Sequence, residues 1–478
     1  MRLDRASDIP LVDQAETQVR SLLASGRLPA GTRLPSIRAL SARLGVSINT
    51  VVTLYDRLAA QALIESRGTV GFSVAARTQA ATPQAAIDAG EEQDALWLAQ
   101  QAHNLHAAAL PASGGALPPA WLADAVPASL VQRAIARSAH GMASRCPPQG
   151  LPELRERLAL LMQGQGLPVT AGQVMTTWGG AHAIDLICRA FLQPGDAVLV
   201  EDPGYFLLFS RLREAQVRMI PIRRHPEGVD LEQVEAACRE QRPKLMFVQS
   251  VIHNPTGWGS SAANLHRLLG IADRHGMLVA EDDVHGHFHA GHAARLASLS
   301  ALQGVLYFSS LSKVLSPALR IGYLAAEPKH LKLLLRQKIV SLLTTAALNE
   351  LVLAELLANG RVRKHIDRLQ QRLQTARGVT TRALESAGLQ FEPGGSGLFL
   401  WGCLPAGIDA AALVRDAYQD GFLLSRGGAF TVADAADDPH IRFNVVFGQD
   451  TRLHAWLGHR LRATASAGGT VVPLARRG

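Results

Sequence analysis

The chain places several side chains suited to chemistry at the ends of apolar runs. Lys313 follows Tyr307-Phe308-Ser309-Ser310-Leu311-Ser312, a β-type run that ends in hydroxyls, and Pro317-Ala318-Leu319-Arg320-Ile321-Gly322 comes soon after. A lysine buried beside a cation and an apolar wall loses its proton readily and becomes a usable nucleophile. Glu281-Asp282-Asp283 closes another apolar run, and a carboxylate buried there is suited to a charge-assisted pair with a cation. Trp178-Gly179-Gly180-Ala181-His182 opens a helical pattern; glycines at a helix start let backbone N–H groups reach an anion, and the helix dipole adds favourable potential. Arg442, in Ile441-Arg442-Phe443-Asn444, carries a guanidinium that taken alone suits a structural ion pair. His253-Asn254-Pro255-Thr256-Gly257 signals a turn. His285, His287, His289 and His292 alternate along one segment and could converge on a cation. No cysteine accompanies them and the neighbouring acids already have a role, so no metal is assigned.

These groups need elements to hold them. Strand-type runs at 197–201, 245–251, 277–281 and 305–309 alternate with helical patterns such as 264–275. That alternation predicts an α/β fold, a mostly parallel sheet covered by helices, with ligands at the strand ends. From Leu331 onward helical patterns dominate, and a small C-terminal α+β subdomain closes near 391–446. Residues 1–77 read as a separate unit. Leu11, Ala15, Val19, Leu22 and Leu23 share one helical face. Ser36 caps a helix with Ile37, Leu40 and Leu44 on its stripe, and Gly45 supplies a tight turn. Ser47 caps a third helix carrying Val51, Leu54, Tyr55 and Leu58, and two short strands around Gly68 complete a helix-turn-helix with a β-wing. Residues 78–102, rich in Ala, Gln and acids, read as a linker, and 103–478 as the body.

A length of 478 residues asks for two or three domains, and 47% apolar with 18% charged residues suits a globular chain with a large core. Within residues 1–77 stand ten arginines against six acids, whereas no Lys or Arg occurs between Arg77 and Arg133. Positive charge concentrated at the N-terminus fits a nucleic-acid partner there. Cys146, Cys188, Cys238 and Cys403 are widely spaced, which speaks against a disulfide framework and a thiolate zinc site. The start has no apolar signal core, and the most apolar stretch, 331–357, is broken by charges; no membrane span and a cytoplasmic location are expected.

The first turn of the third helix, Ser47-Ile48-Asn49-Thr50, is where side chains reach base edges when such a helix enters a major groove. The stretch GRLPAGTRLPSIRALSARLGVSINTVVTLYDRLAAQALIESRGTVGF resembles the winged-helix domain of the GntR family of transcription regulators. The resemblance implies that Arg38, Ser47, Asn49 and Thr50 contact operator DNA, with Arg67 and Gly68 in the wing. Ile48 departs from the family, which often carries Arg at that position.

In the body, pyridoxal 5′-phosphate (PLP) would make four demands: an amine to bond, a carboxylate for its ring nitrogen, a cradle for its phosphate and a flat side chain on its ring. SSLSKVLSPALRIGY closely resembles the lysine motif of fold-type I aminotransferases. By that resemblance Lys313 bonds the cofactor, Ser310 and Arg320 bind its phosphate with Gly179, Gly180 and Ala181, and Asp282 pairs with the ring nitrogen. Asn254 lies near the phenolic oxygen, Tyr205 stacks on the ring, and Arg442 takes a substrate carboxylate. The whole chain resembles the MocR/GabR subfamily of GntR regulators, in which a winged helix is fused to an aminotransferase-like body that senses a small ligand through PLP. A homodimer with sites at the subunit interface is implied. His285 stands where many relatives carry a Tyr bonded to the phenolic oxygen, and Arg145 where relatives carry a Tyr reaching the phosphate across the dimer. Neither change forbids the cofactor, and both predict slow or absent transamination. The reading is a PLP-dependent DNA-binding regulator that senses an amino compound or PLP. A working aminotransferase with a tethering or vestigial head is the alternative, and a DNA-binding protein whose body only dimerises is a third.

Overall fold

The computed structural model describes residues 3–4, 10–24, 27–66, 71–75, 97, 100, 109–137, 145–435 and 437–467. Two compact units divide the chain, Met1–Ala86 and Ile87–Gly478. Arg67 and Gly68, and the expected linker apart from Trp97 and Gln100, lie outside the described residues.

In the first unit, helices α1 (Leu11–Ala24), α2 (Ile37–Leu44) and α3 (Ile48–Ala60) precede strands β1 (Ile64–Ser66) and β2 (Phe72–Val74). The Ser36 hydroxyl accepts from the Ala39 N–H and caps α2; Ser47 does the same for α3 through the Thr50 N–H. Gly45 ends α2 with φ of 66°, the left-handed turn that lets α3 fold back. The apolar stripes then bury Leu40, Leu54, Tyr55 and Leu58 against Ala15, Val19 and Ile64. The Tyr55 hydroxyl donates to the Pro35 carbonyl at 2.7 Å. α1 is fastened to α3 by Arg57 donating to Asp13 (2.6 Å) and Gln61 donating to Glu16 (2.9 Å). β1 and β2 pair antiparallel, and Arg33 adds a bridge to Ser73.

The second unit is built on one sheet. Its strands are β3 (Val174–Thr177), β4 (Ala197–Asp202), β5 (Arg218–His225), β6 (Gly228–Val229), β7 (Leu245–Val248), β8 (Leu278–Asp282), β9 (Val305–Ser310) and β10 (Gly322–Ala325), in the order β3-β10-β9-β8-β7-β4-β5-β6. β5, β4, β7, β8 and β9 run parallel; β10 lies antiparallel between β3 and β9. β7 and β9 are buried along their whole length, which is why they read as unbroken apolar runs rather than alternating ones. The run expected at 245–251 is a strand only to Val248. There the Gln249 N–H donates to the Glu201 carboxylate at 2.7 Å and the chain leaves the sheet, while Val251 and Ile252 stay buried in the turn. A small antiparallel sheet, β11 (Gln390–Phe391), β12 (Phe399–Cys403), β13 (Ser425–Arg426) and β14 (His440–Asn444), has the order β11-β12-β14-β13. The segment from Leu110 runs beside it: the Leu423 N–H donates to the Leu110 carbonyl, and that of Asn444 to Ala112. Trp97, in the stretch read as a linker, is buried with Leu423 and stands edge-on to Tyr418. Among the described residues no helix is long and apolar enough to cross a membrane.

Candidate functional site

A cavity of about 330 Å³ opens where the C-terminal ends of β4, β7, β8 and β9 meet the loop at Ser113–Gly115 and the small sheet. Gly180, Ala181, Tyr205, Asn254, Asp282, His285, Ser310, Lys313, Arg320 and Arg442 all line it. Gly179 adjoins it beside Arg320, and Arg145 is exposed and lies off it.

The end of β8 sorts three consecutive acids by the alternation of a strand. Glu281 points away from the cavity and accepts from the Leu296 and Ala297 N–H groups, both at 2.8 Å, and from the Ser250 hydroxyl. Asp283 accepts from Arg295 at 2.8 Å and from the Tyr307 hydroxyl at 2.7 Å. Asp282 faces the cavity and accepts from the Val284 N–H (3.1 Å) and the Gln249 amide (2.9 Å). Burial without a paired cation pushes its carboxyl up to about 7, against the two hydrogen bonds and nearby Lys313.

Lys313, just beyond β9, donates to the Gly115 carbonyl at 2.5 Å. Burial, then the Arg442 and Arg320 cations, bring its amine down to about 8, with Asp282 opposing. Across from it, the helix Gly180–Phe191 begins without a side-chain cap on its first N–H groups. Gly179 has φ of +80°, and a Cβ there would stand 3.1 Å from the Arg320 guanidinium; one on Gly180 would meet Val284 at 2.8 Å. Bare backbone N–H groups beside an arginine make an anion cradle. The Ser310 hydroxyl is engaged with the Ile321 carbonyl (3.0 Å), and Ser312 lines the cavity beside it.

Arg442, on β14, donates to the Asn254 side-chain oxygen at 2.8 Å and to the Ser113 carbonyl at 2.6 Å. Phe399 and Phe430 flank its guanidinium at 4.4 and 4.6 Å. Among the described residues no carboxylate pairs with it, so the structural ion pair considered from sequence is not formed. Burial lowers its pKa to about 9, with Tyr205 opposing. His285 is buried edge-on to Phe399, and its Nδ1 has no hydrogen-bond partner. Burial, then Lys313 and Arg442, hold the imidazole neutral, well below its usual range. His287 instead bonds Tyr323 and Gln165, so these two buried imidazoles serve different neighbourhoods.

Gln249, Ser113–Gly115, Phe399 and Phe430 were not anticipated. They come from loops and strands far apart in sequence, and Gln249 lies inside the run expected at 245–251, where the one signal is that a polar residue interrupts the apolar Leu245–Val248. In the first unit, Arg38, Ser47 and Asn49 are exposed and Thr50 is half-buried at the start of α3, where Ile48 is 51% exposed.

Residues 115–455 match the family model for aminotransferase class I and II, and residues 11–74 that for the gntR family of bacterial regulatory proteins. The uncharacterized HTH-type transcriptional regulator YdcR of Escherichia coli (strain K12) is 28% identical over 433 residues, 88% of this chain and 92% of its own. The 2-aminoadipate transaminase of Thermus thermophilus is 30% identical over 293 residues, 59% of this chain and 72% of its own. The solved structure of LysN, an α-aminoadipate aminotransferase from Thermus thermophilus complexed with N-(5′-phosphopyridoxyl)-L-leucine, superimposes with a TM-score of 0.68 at 25% identity, covering 75% of this chain and 94% of that one. The multiple substrate aminotransferase of Thermococcus profundus shares the fold, with a TM-score of 0.70 at 22% identity, covering 80% and 97%.

Proposed function

Because the chain belongs to the aminotransferase class I and II family and carries a gntR-type domain at its N-terminus, we propose that it is a PLP-dependent transcription regulator of the cytoplasm. Its head binds operator DNA, and its body senses an amino compound or PLP itself. The observation that carries the reading is one cavity that gathers an amine, an acid without a paired cation and an arginine without an acid, in a chain that also has a winged helix. YdcR, named a transcriptional regulator, aligns across both parts.

The residues present fit the cofactor. Lys313 would supply the amine, already lowered toward neutrality. Asp282 would gain the cation it lacks by holding the ring nitrogen protonated. The N–H groups of Gly179, Gly180 and Ala181, with Ser310 and Arg320, would hold the phosphate, and Tyr205 would cover the ring. Asn254 and the unpartnered Nδ1 of His285 suit a phenolic oxygen. Bound there, the cofactor supplies an electron sink for the carbon next to a ligand's amine. Arg442 would trade Asn254 and Ser113 for a ligand carboxylate. Arg145 suits a phosphate contact from the second copy of a homodimer.

The test pairs an absorbance spectrum with a gel-shift assay. Purified protein should show a visible cofactor band that Lys313→Ala abolishes, and should retard its own upstream DNA at low salt. A protein that stays colourless with added PLP ends the cofactor reading, and unretarded DNA ends the regulator reading. Brisk turnover of amino donors with a keto acid, without any effect of ligand on DNA binding, would favour the enzyme reading instead.

A further inference from the structure

We infer that Gln249 is a positioning residue that couples Arg442, the arginine facing a ligand carboxylate, to Asp282, the acid facing the ring nitrogen. The inference rests on the roles proposed above for those two residues.

Gln249 is the first residue past β7 and is buried. Its backbone is tied to β4 through the Glu201 carboxylate. Its side-chain amide is satisfied at both ends: Oε1 accepts from the Asn254 N–H at 2.7 Å, and Nε2 donates to Asp282 Oδ2 at 2.9 Å. Only this orientation works, since a flipped amide would set donor against donor and acceptor against carboxylate. Asn254 in turn accepts from Arg442 at 2.8 Å on its side-chain oxygen. Three hydrogen bonds therefore run unbroken from Arg442 through Asn254 and Gln249 to Asp282, and all four residues are buried. Such bonds act strongly in a low-dielectric interior.

The consequence is mechanical. Asn254 is held at two points, its N–H on Gln249 and its side chain on Arg442. A ligand carboxylate that draws Arg442 away removes one of them, and the turn at 253–257 adjusts. Gln249 carries that adjustment to Asp282. Other charges also reach Asp282, namely Asp283 and Lys313, with Tyr205 and Glu201 nearby. A direct electrostatic effect of Arg442 must therefore be separated from the relay.

The experiment uses the full-length protein with PLP alone as probe, and follows the visible band against pH and PLP concentration. Four forms are compared: wild type, Arg442→Lys, Gln249→Leu and the double variant. Arg442→Lys keeps the charge and removes the fork that holds Asn254. We expect it to weaken PLP binding about tenfold and to move the pH midpoint of the band in the wild-type background. In the Gln249→Leu background the same change should cost no more than about twofold and leave the midpoint in place. Equal effects in the two backgrounds overturn the coupling. Wild type without any band overturns the underlying cofactor reading, and does so before any variant is made. Should Gln249→Leu fail to fold by circular dichroism, Gln249→Met takes its place: it keeps the length of the side chain and has neither an acceptor for the Asn254 N–H comparable to the amide oxygen nor a donor for Asp282. A full Arg442→Lys effect in that background also overturns the inference.

Discussion

Asp282 and Asp283 are neighbours in sequence and opposites in surroundings. The Arg295 guanidinium lies 2.8 Å from Asp283, whereas two neutral donors, the Val284 N–H and the Gln249 amide, are what meet Asp282. One acid is committed to the fold and the other is left available. Removing a partner from a buried pair strands a charge. Arg295→Ala should therefore cost about 3–5 kcal/mol in denaturant melts, while Asp282→Asn, which removes an unpaired buried acid, should not destabilise the cofactor-free protein and should weaken PLP binding at least about tenfold. Comparable instability in the two variants would contradict this division.

The same acids set a pH dependence. Asp282, Glu201 and Glu281 are each raised to about 7, chiefly by burial. The folded protein thus binds more protons than the unfolded chain between the ordinary carboxylate range and about pH 7, so this contribution to stability is full at low pH and is lost as pH rises through 7. Thermal melts of cofactor-free protein should show it, and Asp282→Asn should flatten the dependence. An unchanged slope in that variant would remove Asp282 from the account.

Lys313 is brought to about 8 by burial and then by Arg442 and Arg320. The neutral amine is the nucleophile. Growth of the visible band after mixing with PLP should speed up with pH around a midpoint near 8 rather than near the usual lysine value. Arg320→Gln should move that midpoint upward, as stopped-flow traces across pH would reveal.

Arg442 has both prongs of its guanidinium on neutral oxygens. A ligand carboxylate would replace them with charge-assisted bonds. Arg442→Gln should weaken α-amino acids about 10–100-fold in spectral titrations, and leave the corresponding amines without a carboxylate nearly unaffected. Equal losses for acids and amines would mean that Arg442 only shapes the cavity.

Ile48 is an exposed β-branched side chain on the first turn of α3. Where such a helix enters a major groove, an apolar side chain on its first turn can meet a thymine methyl. In duplexes selected from a random library, replacing one particular thymine by deoxyuridine should weaken binding about threefold, roughly the value of one buried methyl. Ile48→Ala should be indifferent to that replacement. If no thymine behaves this way, Ile48 reads no methyl.

Much of this architecture could be read from residue patterns because it depends on local periodicity. The stripe Val51, Leu54, Tyr55, Leu58 can bury one face only as a helix, and it does. β7 and β9 are short apolar runs because helices cover both faces of a parallel sheet. The overshoot at 245–251 arose because Val251 and Ile252 are buried in a turn, where apolar character no longer reports a strand. What stayed hidden depends on distance. The Gly115 carbonyl that receives Lys313 comes from 198 residues away, and the phenylalanines around Arg442 come from β12 and from a loop near β13. β10 cannot be read as a strand because its first two residues, Gly322 and Tyr323, close the lysine motif and only two more follow, and its antiparallel place between β3 and β9 is a property of the sheet rather than of Gly322–Ala325.

Trp97 belongs to the stretch whose composition marks it as a connector, yet its indole packs on Leu423, and Leu423 forms part of the cavity wall. The same leucine thus meets the cavity on one side and the indole on the other, so the emission of Trp97 is expected to change when a ligand fills the cavity.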